Sequence, residues 1–371
     1  MKVLVLNGGS SSLKCWYHDL AADSQTTQAP KPQWQLHLDL KPDQPVEDVL
    51  GPALRSIPGP VEVVGHRIVQ GGKFRDSTVL TPEVRAAIAQ EAEIAPTHNR
   101  RELAIVDTVE RVLGSSLTQV AVFDTAFHST LPPAAYVYAG PYAWLDQGIR
   151  RYGFHGISHQ YAARRAGELL GSKPSRLITC HLGNGASLAA IRAGRSIDTT
   201  MGFTPLEGLM MGSRSGSIDP GILIHLMRQN NTADQLDDIL NRQSGLLGIS
   251  GLSSDMREIL AAAESGHERA RLAFEIYSHR LVREMGGMLA VLGGLDALVF
   301  TGGVGENCPP LREAAARQFA FLGLKLDPVK NAAPHADIDV AAADSAVRVL
   351  VIHAEEEWEI ARECYRIGGF S

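Results

Sequence analysis

Val3-Leu4-Val5-Leu6-Asn7-Gly8-Gly9-Ser10-Ser11-Ser12-Leu13-Lys14 reads as a short apolar strand, a glycine–serine turn and a returning strand that continues to Tyr17. A phosphate needs several backbone N–H groups converging on it with no Cβ in the way. Asn7 to Ser12 supplies them, together with three hydroxyls and Lys14 as a nearby point charge. No helix and no Gly-Lys-Ser/Thr follows, so this is not a Walker A loop. The shape returns in the second half. Arg176 to His181 is a strand, Leu182-Gly183-Asn184-Gly185 a turn and Ala186 to Arg192 a returning strand. A shift of 175 residues lays Gly8 on Gly183, Ser12 on Ser187 and Leu13 on Leu188. Two copies of one α/β domain, each offering a phosphate-gripping hairpin, would hold a nucleotide between them. A third glycine turn, Gly302-Gly303-Val304-Gly305, follows the strand Ala297 to Thr301.

Outward from these turns, Val61 to Val69 and Gln119 to Phe123 are further strands, and Val347 to Ile352 is the last. Thr81-Pro82-Glu83 combines an N-cap, a proline at the first helical position and an acid in the first turn, which predicts a helix to about Glu93. Arg101 to Leu113 is a second helix, with Leu103, Val106, Val109 and Leu113 on one face. A long helix is expected from about His267 to Leu292, and Glu355 to Tyr365 closes the chain with acids in its first turn.

The side chains that could do chemistry cluster at the ends of these strands. Arg67 ends a strand before Gly71-Gly72, and Arg214 lies in the glycine-rich Met211 to Gly216. Arginines on such loops suit bidentate contacts to carboxylate or phosphate, and two could neutralise a transferring phosphoryl group. Asp124 follows a strand end, where open α/β sheets place ligands, and Glu355-Glu356-Glu357 opens the last helix. Both suit Mg2+, which takes one or two carboxylates and otherwise keeps its waters. His155 and His181 are the best placed of thirteen histidines. Taken singly, each turn could be an ordinary hairpin, each arginine a surface salt bridge and the glutamate run a solvated helix start. No HExxH or Gly-x-Ser-x-Gly pattern occurs.

The bulk properties narrow the classes further. The 371 residues suffice for two domains, and 44% hydrophobic with 20% charged residues fits a packed globule. A net charge of −6 argues against nucleic-acid binding. Cys15, Cys180, Cys308 and Cys364 are scattered, which speaks for reduced thiols rather than zinc or disulfides. The opening apolar run is too short for a signal peptide, and no stretch reaches the length of a membrane span. A cytoplasmic protein with no membrane partner is expected.

Several segments then line up in order and spacing with one known family. Asn7 to Lys14, Gly65-His66-Arg67, Phe123-Asp124-Thr125-Ala126-Phe127-His128, Arg151-Tyr152-Gly153-Phe154-His155-Gly156, His181 to Gly185, the long run Met201 to Gly216 and Phe300 to Asn307 resemble the acetate kinase (acetokinase) family over nearly the whole chain. The resemblance implies two duplicated ribonuclease H-like domains of the sugar kinase, Hsc70 and actin superfamily, with the active site in the interdomain cleft. The domains would be 1–125 plus 357–371, and 126–356. It implies a homodimer using ATP/ADP and acetate/acetyl phosphate, with Mg2+ or, as a substitute, Mn2+. Carried over residue by residue, Asn7, Ser12 and Lys14 would hold the phosphate region, with Asn184 and Gly185. Arg67 and Arg214 would bind the acid and the transferring phosphoryl, which His155 would also contact, with His181 in support. Asp124 and Glu356, with Asn7, would organise the metal. Asp255, Met256, Arg257, Gly303, Val304, Gly305 and Asn307 would line the nucleoside pocket. Val69, Thr97, Phe154 and Pro205 would cup the methyl group of the acid.

The chain departs from the family pattern in places. Thr97 stands where the family usually has leucine, and a hydroxyl there would favour a slightly more polar acid. Arg100-Arg101, Gln70, Ser217, Met256 and Ala354-Glu355 also differ from the usual residues, whereas every arginine and metal carboxylate is kept. The rival readings are a propionate or butyrate kinase, and an actin- or chaperone-like ATP-binding regulator that needs no acid.

Overall fold

The computed structural model describes residues 1–9, 12–20, 29–41, 44–91, 96–332 and 337–368, with the side chains of 96–98 outside that description. The chain divides into two units. The first comprises Met1–Ser129, His155–Tyr161 and Glu355–Ser371; the second comprises Thr130–Phe154 and Ala162–Ala354.

The first unit is built on six strands: β1 (Lys2–Gly8), β2 (Ser12–Asp19), β3 (Trp34–Asp39), β4 (Val63–Ile68), β5 (Thr78–Val79) and β6 (Thr118–Phe123). They form one mixed sheet in the order β3-β2-β1-β4-β6-β5. β1, β2 and β3 run antiparallel as a meander; β4 and β6 lie parallel to β1 and to each other, and β5 closes the edge antiparallel to β6. β1 and β4 are buried almost throughout, as central strands covered on both faces should be.

The second unit repeats this plan. Its strands are β7 (Arg176–Leu182), β8 (Ala186–Arg192), β9 (Arg195–Thr199), β10 (Ala297–Thr301), β11 (Ile338–Asp339) and β12 (Arg348–Val351). The order β9-β8-β7-β10-β12-β11 again places a meander beside a parallel pair and an antiparallel edge strand. The duplication read from the two hairpins therefore extends to every strand of both sheets.

Helices cover the sheets where the apolar periodicity requires. Thr81 caps the helix Pro82–Gln90, its side chain accepting from the Val84 N–H at 3.3 Å. The next helix runs Pro96–Leu113, starting five residues before the expected Arg101. A proline at the first turn loses nothing, since that N–H has no helical partner anyway. The 25-residue helix Glu268–Leu292 packs against β7 and β8, and ends where Gly293 takes φ 70°. The closing helix Glu356–Ile367 lies directly on β1 and β4. A Cβ on Gly65 would stand 2.5 Å from Cys364 Sγ, so only glycine admits the helix this close.

All four cysteines are free and buried. Among the described residues no helix is long and apolar enough to cross a membrane.

Candidate active site

In the first unit the parallel strands deliver their C-terminal ends to one place. Arg67 sits near the end of β4, and Asp124 follows β6, its N–H bonded to Ile68 O at 2.9 Å. The Arg67 guanidinium donates one nitrogen to Asp124 Oδ2 and another to Gly8 O on β1, both at 2.6 Å. Asp124 is 1% exposed and Arg67 12%. Burial opposes the Arg67 charge, but Asp124, Glu356 and Glu102 outweigh it and raise its pKa. Burial likewise raises the Asp124 carboxyl, against the pull of Arg67 and with the repulsion of Glu356. Arg67 Nε and Asp124 Oδ1 are buried and have no hydrogen-bond partner among the described residues. A buried carboxylate oxygen and guanidinium N–H left open in this way are capacity for a ligand.

The Asn7 side-chain amide donates to Glu356 Oε2 and to Glu357 Oε1, each at 3.0 Å. Lys14, opposite Asn7 across the β1–β2 hairpin, pairs with Glu357 Oε1 at 2.9 Å. Burial opposes the lysine charge; Glu357, then Glu356 and Glu355, hold its pKa above the ordinary value. Glu357, 1% exposed, is thus a buried anchor for two residues that the sequence assigned to phosphate. The glutamate run had concealed it. The burial of Trp358, Ala361 and Cys364 is the phase signal that turns Glu357 inward. Ser12 begins β2, and its carbonyl accepts from Gly9 N at 2.7 Å to close the turn.

His155 adopts φ 57°, and the next N–H, of Gly156, donates to Asp124 O at 2.8 Å. A Cβ on Gly156 would stand 2.1 Å from that same oxygen. Gly156→Ala is therefore expected to displace either Asp124 or the His155 turn, at a cost of about 3 kcal/mol or more. A urea midpoint that fails to fall would show that this contact is not fixed.

Val69 is buried at the end of the same strand connection. Its N–H donates to both oxygens of Glu102, at 3.2 and 3.1 Å. Thr97 lies on the backbone of the helix Pro96–Leu113, but its side chain falls outside the described residues.

The second unit holds the remaining sites. His181 is the penultimate residue of β7, paired in register with Ser187 on β8 and Thr301 on β10. Gly183 N donates to Gly185 O at 2.9 Å, closing the turn. Asn184 O accepts from Gly212 N at 3.0 Å, which docks this turn on the Met211–Gly216 loop. Arg214 Nη1 donates to Pro205 O at 3.0 Å, tying the loop arginine to the segment expected to cup the acid. That segment is braced by Arg151, which reaches the carbonyls of Thr199, Thr200 and Met201 and pairs with Glu207 Oε1 at 2.7 Å. Tyr138 OH donates to Glu207 Oε2 at 2.5 Å. Phe154 is fully buried, and the preceding Gly153 N donates to Gly202 O. Arg151 and Glu207 both lie in quoted motifs, yet their bracing role had no sequence signal.

Asp255 caps the helix Met256–Glu264 and pairs with the exposed Arg257 at 2.5 Å, while Met256 is buried. Gly303, Val304, Gly305 and Asn307 belong to the short helix Gly302–Asn307, in place of the expected glycine turn. Asn307 Nδ2 closes on Gly303 O at 2.9 Å.

Two copies of a meander-plus-parallel sheet, with glycine turns at the strand ends, give the duplicated α/β fold of the sugar kinase, Hsc70 and actin superfamily. The family model described as "Acetokinase family" matches residues 52–362. "Acetate kinase" from Gloeobacter violaceus is 55% identical, with 99% of each chain covered. Among solved structures, Porphyromonas gingivalis acetate kinase is 38% identical, with a TM-score of 0.87 and 99% of both chains covered. A propionate kinase from Francisella tularensis subsp. tularensis SCHU S4 is 34% identical, with a TM-score of 0.88 and the same coverage. The chain belongs to the acetokinase family, kinases that transfer a phosphoryl group to a carboxylate.

Proposed function

We propose that the chain catalyses reversible, Mg2+-dependent phosphoryl transfer between ATP and acetate, giving acetyl phosphate and ADP by direct in-line attack. The observation that carries this reading is the buried Arg67–Asp124 pair, in which each partner keeps one polar atom open. The acid is already ionised near neutral pH, so no general base is required. What remains is alignment and neutralisation of charge. Arg67 and Arg214 bind the acid carboxylate and the equatorial phosphoryl oxygens, and His155 donates a hydrogen bond to the same group, with His181 in support. Val69, Thr97, Phe154 and Pro205 take the methyl end.

Asp124 Oδ1 offers a buried anionic ligand, with Glu356 close enough to raise the Asp124 pKa. Among the described residues no three His, Cys, Asp or Glu side chains converge as a metal set, but Mg2+ needs only one or two carboxylates. Asp124 and Glu356, with Asn7, would therefore hold Mg2+ (Mn2+ as a substitute), which when bound neutralises charge on the ATP phosphates. Asn7, Ser12, Lys14, His181, Asn184 and Gly185 serve the phosphate chain; Asp255, Met256, Arg257 and the Gly303–Asn307 segment serve the nucleoside.

The same reading includes a homodimer in the cytoplasm. The helix Pro220–Arg228 buries none of its residues and exposes Ile222, Ile224 and Met227, apolar surface of the kind that subunit interfaces cover. Four free thiols suit a reducing compartment.

A second reading, propionate as the acid, is favoured by the likeness to a solved protein named propionate kinase. One methylene is worth about 1–3 kcal/mol of discrimination. Coupled ADP release with formate, acetate, propionate, butyrate and glycolate tests both readings. Acetate is expected to give the highest kcat/KM. A higher value for propionate keeps the mechanism and changes the substrate. ATP turnover indifferent to every acid would sink the kinase reading in favour of an acid-independent ATP-binding regulator.

A further inference from the structure

The connection leaving β4 is held by one face of one helix. Asn99 and Glu102 stand three residues apart on Pro96–Leu113 and so share a face. Glu102 takes the Val69 N–H on both carboxylate oxygens. Asn99 Oδ1 accepts from Gln70 N at 3.3 Å, and Asn99 Nδ2 donates to Gln70 O at 3.2 Å. The same Nδ2 donates to Ile88 O at 3.2 Å, linking the helix Pro82–Gln90. Asn99 is 0% exposed and Glu102 4%. Gln70, itself fully buried, turns back to accept from Gly72 N at 3.0 Å.

A carboxyl buried to serve a backbone N–H is an expensive way to hold a loop, since the carboxyl gives up its hydration for that contact. What it adds is a fixed position. The residues fixed are Val69 and Gln70, two and three places beyond Arg67. We propose that Asn99 and Glu102 are positioning residues that clamp the Val69–Gln70 backbone and thereby set the affinity and size selection for the carboxylic acid. This rests on the reading of Val69 as a wall of the acid cup. Thr97 belongs to the same helix, so the clamp and a second expected cup residue move as one body. Burial pushes the Glu102 carboxyl up to about 8, against the opposing pull of Arg67.

The test compares Glu102→Leu, Glu102→Gln and Val69→Ala in the full chain, with KM for the acid and for ATP measured separately. Glu102→Leu, which leaves the Val69 N–H unpaired, is expected to raise the acid KM by about tenfold and to shift the acetate-to-propionate preference. The ATP KM should stay put, and kcat should fall less than the acid KM rises. Glu102→Gln keeps an acceptor and should restore the parent values. A merely structural role would move both KM values together or neither, and either result overturns the clamp. If Glu102→Leu does not fold, Asn99→Asp decides, because it keeps the acceptor for Gln70 N and loses the donor; an unchanged acid KM overturns the proposal. Val69→Ala separates the two ideas. If it leaves the acid KM unchanged, the cup reading fails; if it moves the acid KM while the Glu102 variants do not, only the clamp fails.

Discussion

Arg67→Ala is expected to lower kcat by about 10³-fold or more, by analogy with other arginines that stabilise a transferring phosphoryl group. The position supports an effect of that size. The guanidinium is held by Asp124 Oδ2 and Gly8 O at 2.6 Å each, so it enters the reaction already oriented. Its removal also leaves Asp124, 1% exposed, without its ion-pair partner, which costs about 3–5 kcal/mol of stability. Arg67→Lys separates the two effects. It keeps the charge beside Asp124 but not the planar fork, so thermal stability should largely return while kcat stays depressed. A loss of kcat under about tenfold in Arg67→Ala would remove Arg67 from the transition state.

An equally large effect on stability is expected in the second unit, at Arg312. It is 0% exposed, and among the described residues no carboxylate pairs with it. Burial pulls its pKa down, opposed by Cys308. Nε donates to Asn331 Oδ1, Nη1 to the carbonyls of Gly305 and Glu306, and Nη2 to Asn331 O, all at 2.8 Å. Two of those acceptors are carbonyls near the C-terminal end of the helix Gly302–Asn307, where a cation is favoured. Arg312→Met would leave them unpaired in the interior, at about 1–3 kcal/mol for each acceptor that finds no substitute. A net loss of about 3–5 kcal/mol should lower Tm by roughly 10 °C. If Gly303–Asn307 lines the nucleoside pocket, the nucleotide KM rises with it and the acid KM does not. A Tm within about 2 °C of the parent would show that the guanidinium is replaceable by packing alone.

The parts of the fold legible in the sequence were those with a local cause. The two hairpins announce themselves by glycine turns between apolar runs, and Thr81-Pro82 by cap chemistry. The Gly302-Gly303-Val304-Gly305 run was misleading for a physical reason. Glycine disfavours a helix, but here Glu306 Oε1 accepts the Gly302 N–H at 2.9 Å, and Arg312 takes the carbonyls of Gly305 and Glu306. The candidate site divides in the same way. Arg67 and Asp124 were marked by their places at strand ends, and the structure joins them. Glu102 and Arg312 were not marked, and Glu357 only as part of a run, because a charged residue on a helix reads as surface unless the buried face is known.

The four buried thiols divide evenly between the halves of the duplicated fold. Cys15 and Cys364 belong to the first unit, Cys180 and Cys308 to the second, and none is more than 3% exposed. Burial pushes all four thiol pKa values up, Cys15 to about 12, so the folded protein presents almost no thiolate to an alkylating reagent. Reaction must then wait for the chain to open. The protein thus carries its own pair of clocks: the rate at which each cysteine-containing peptide gains label reports how often that half of the duplication comes apart, without any reporter group having to be added.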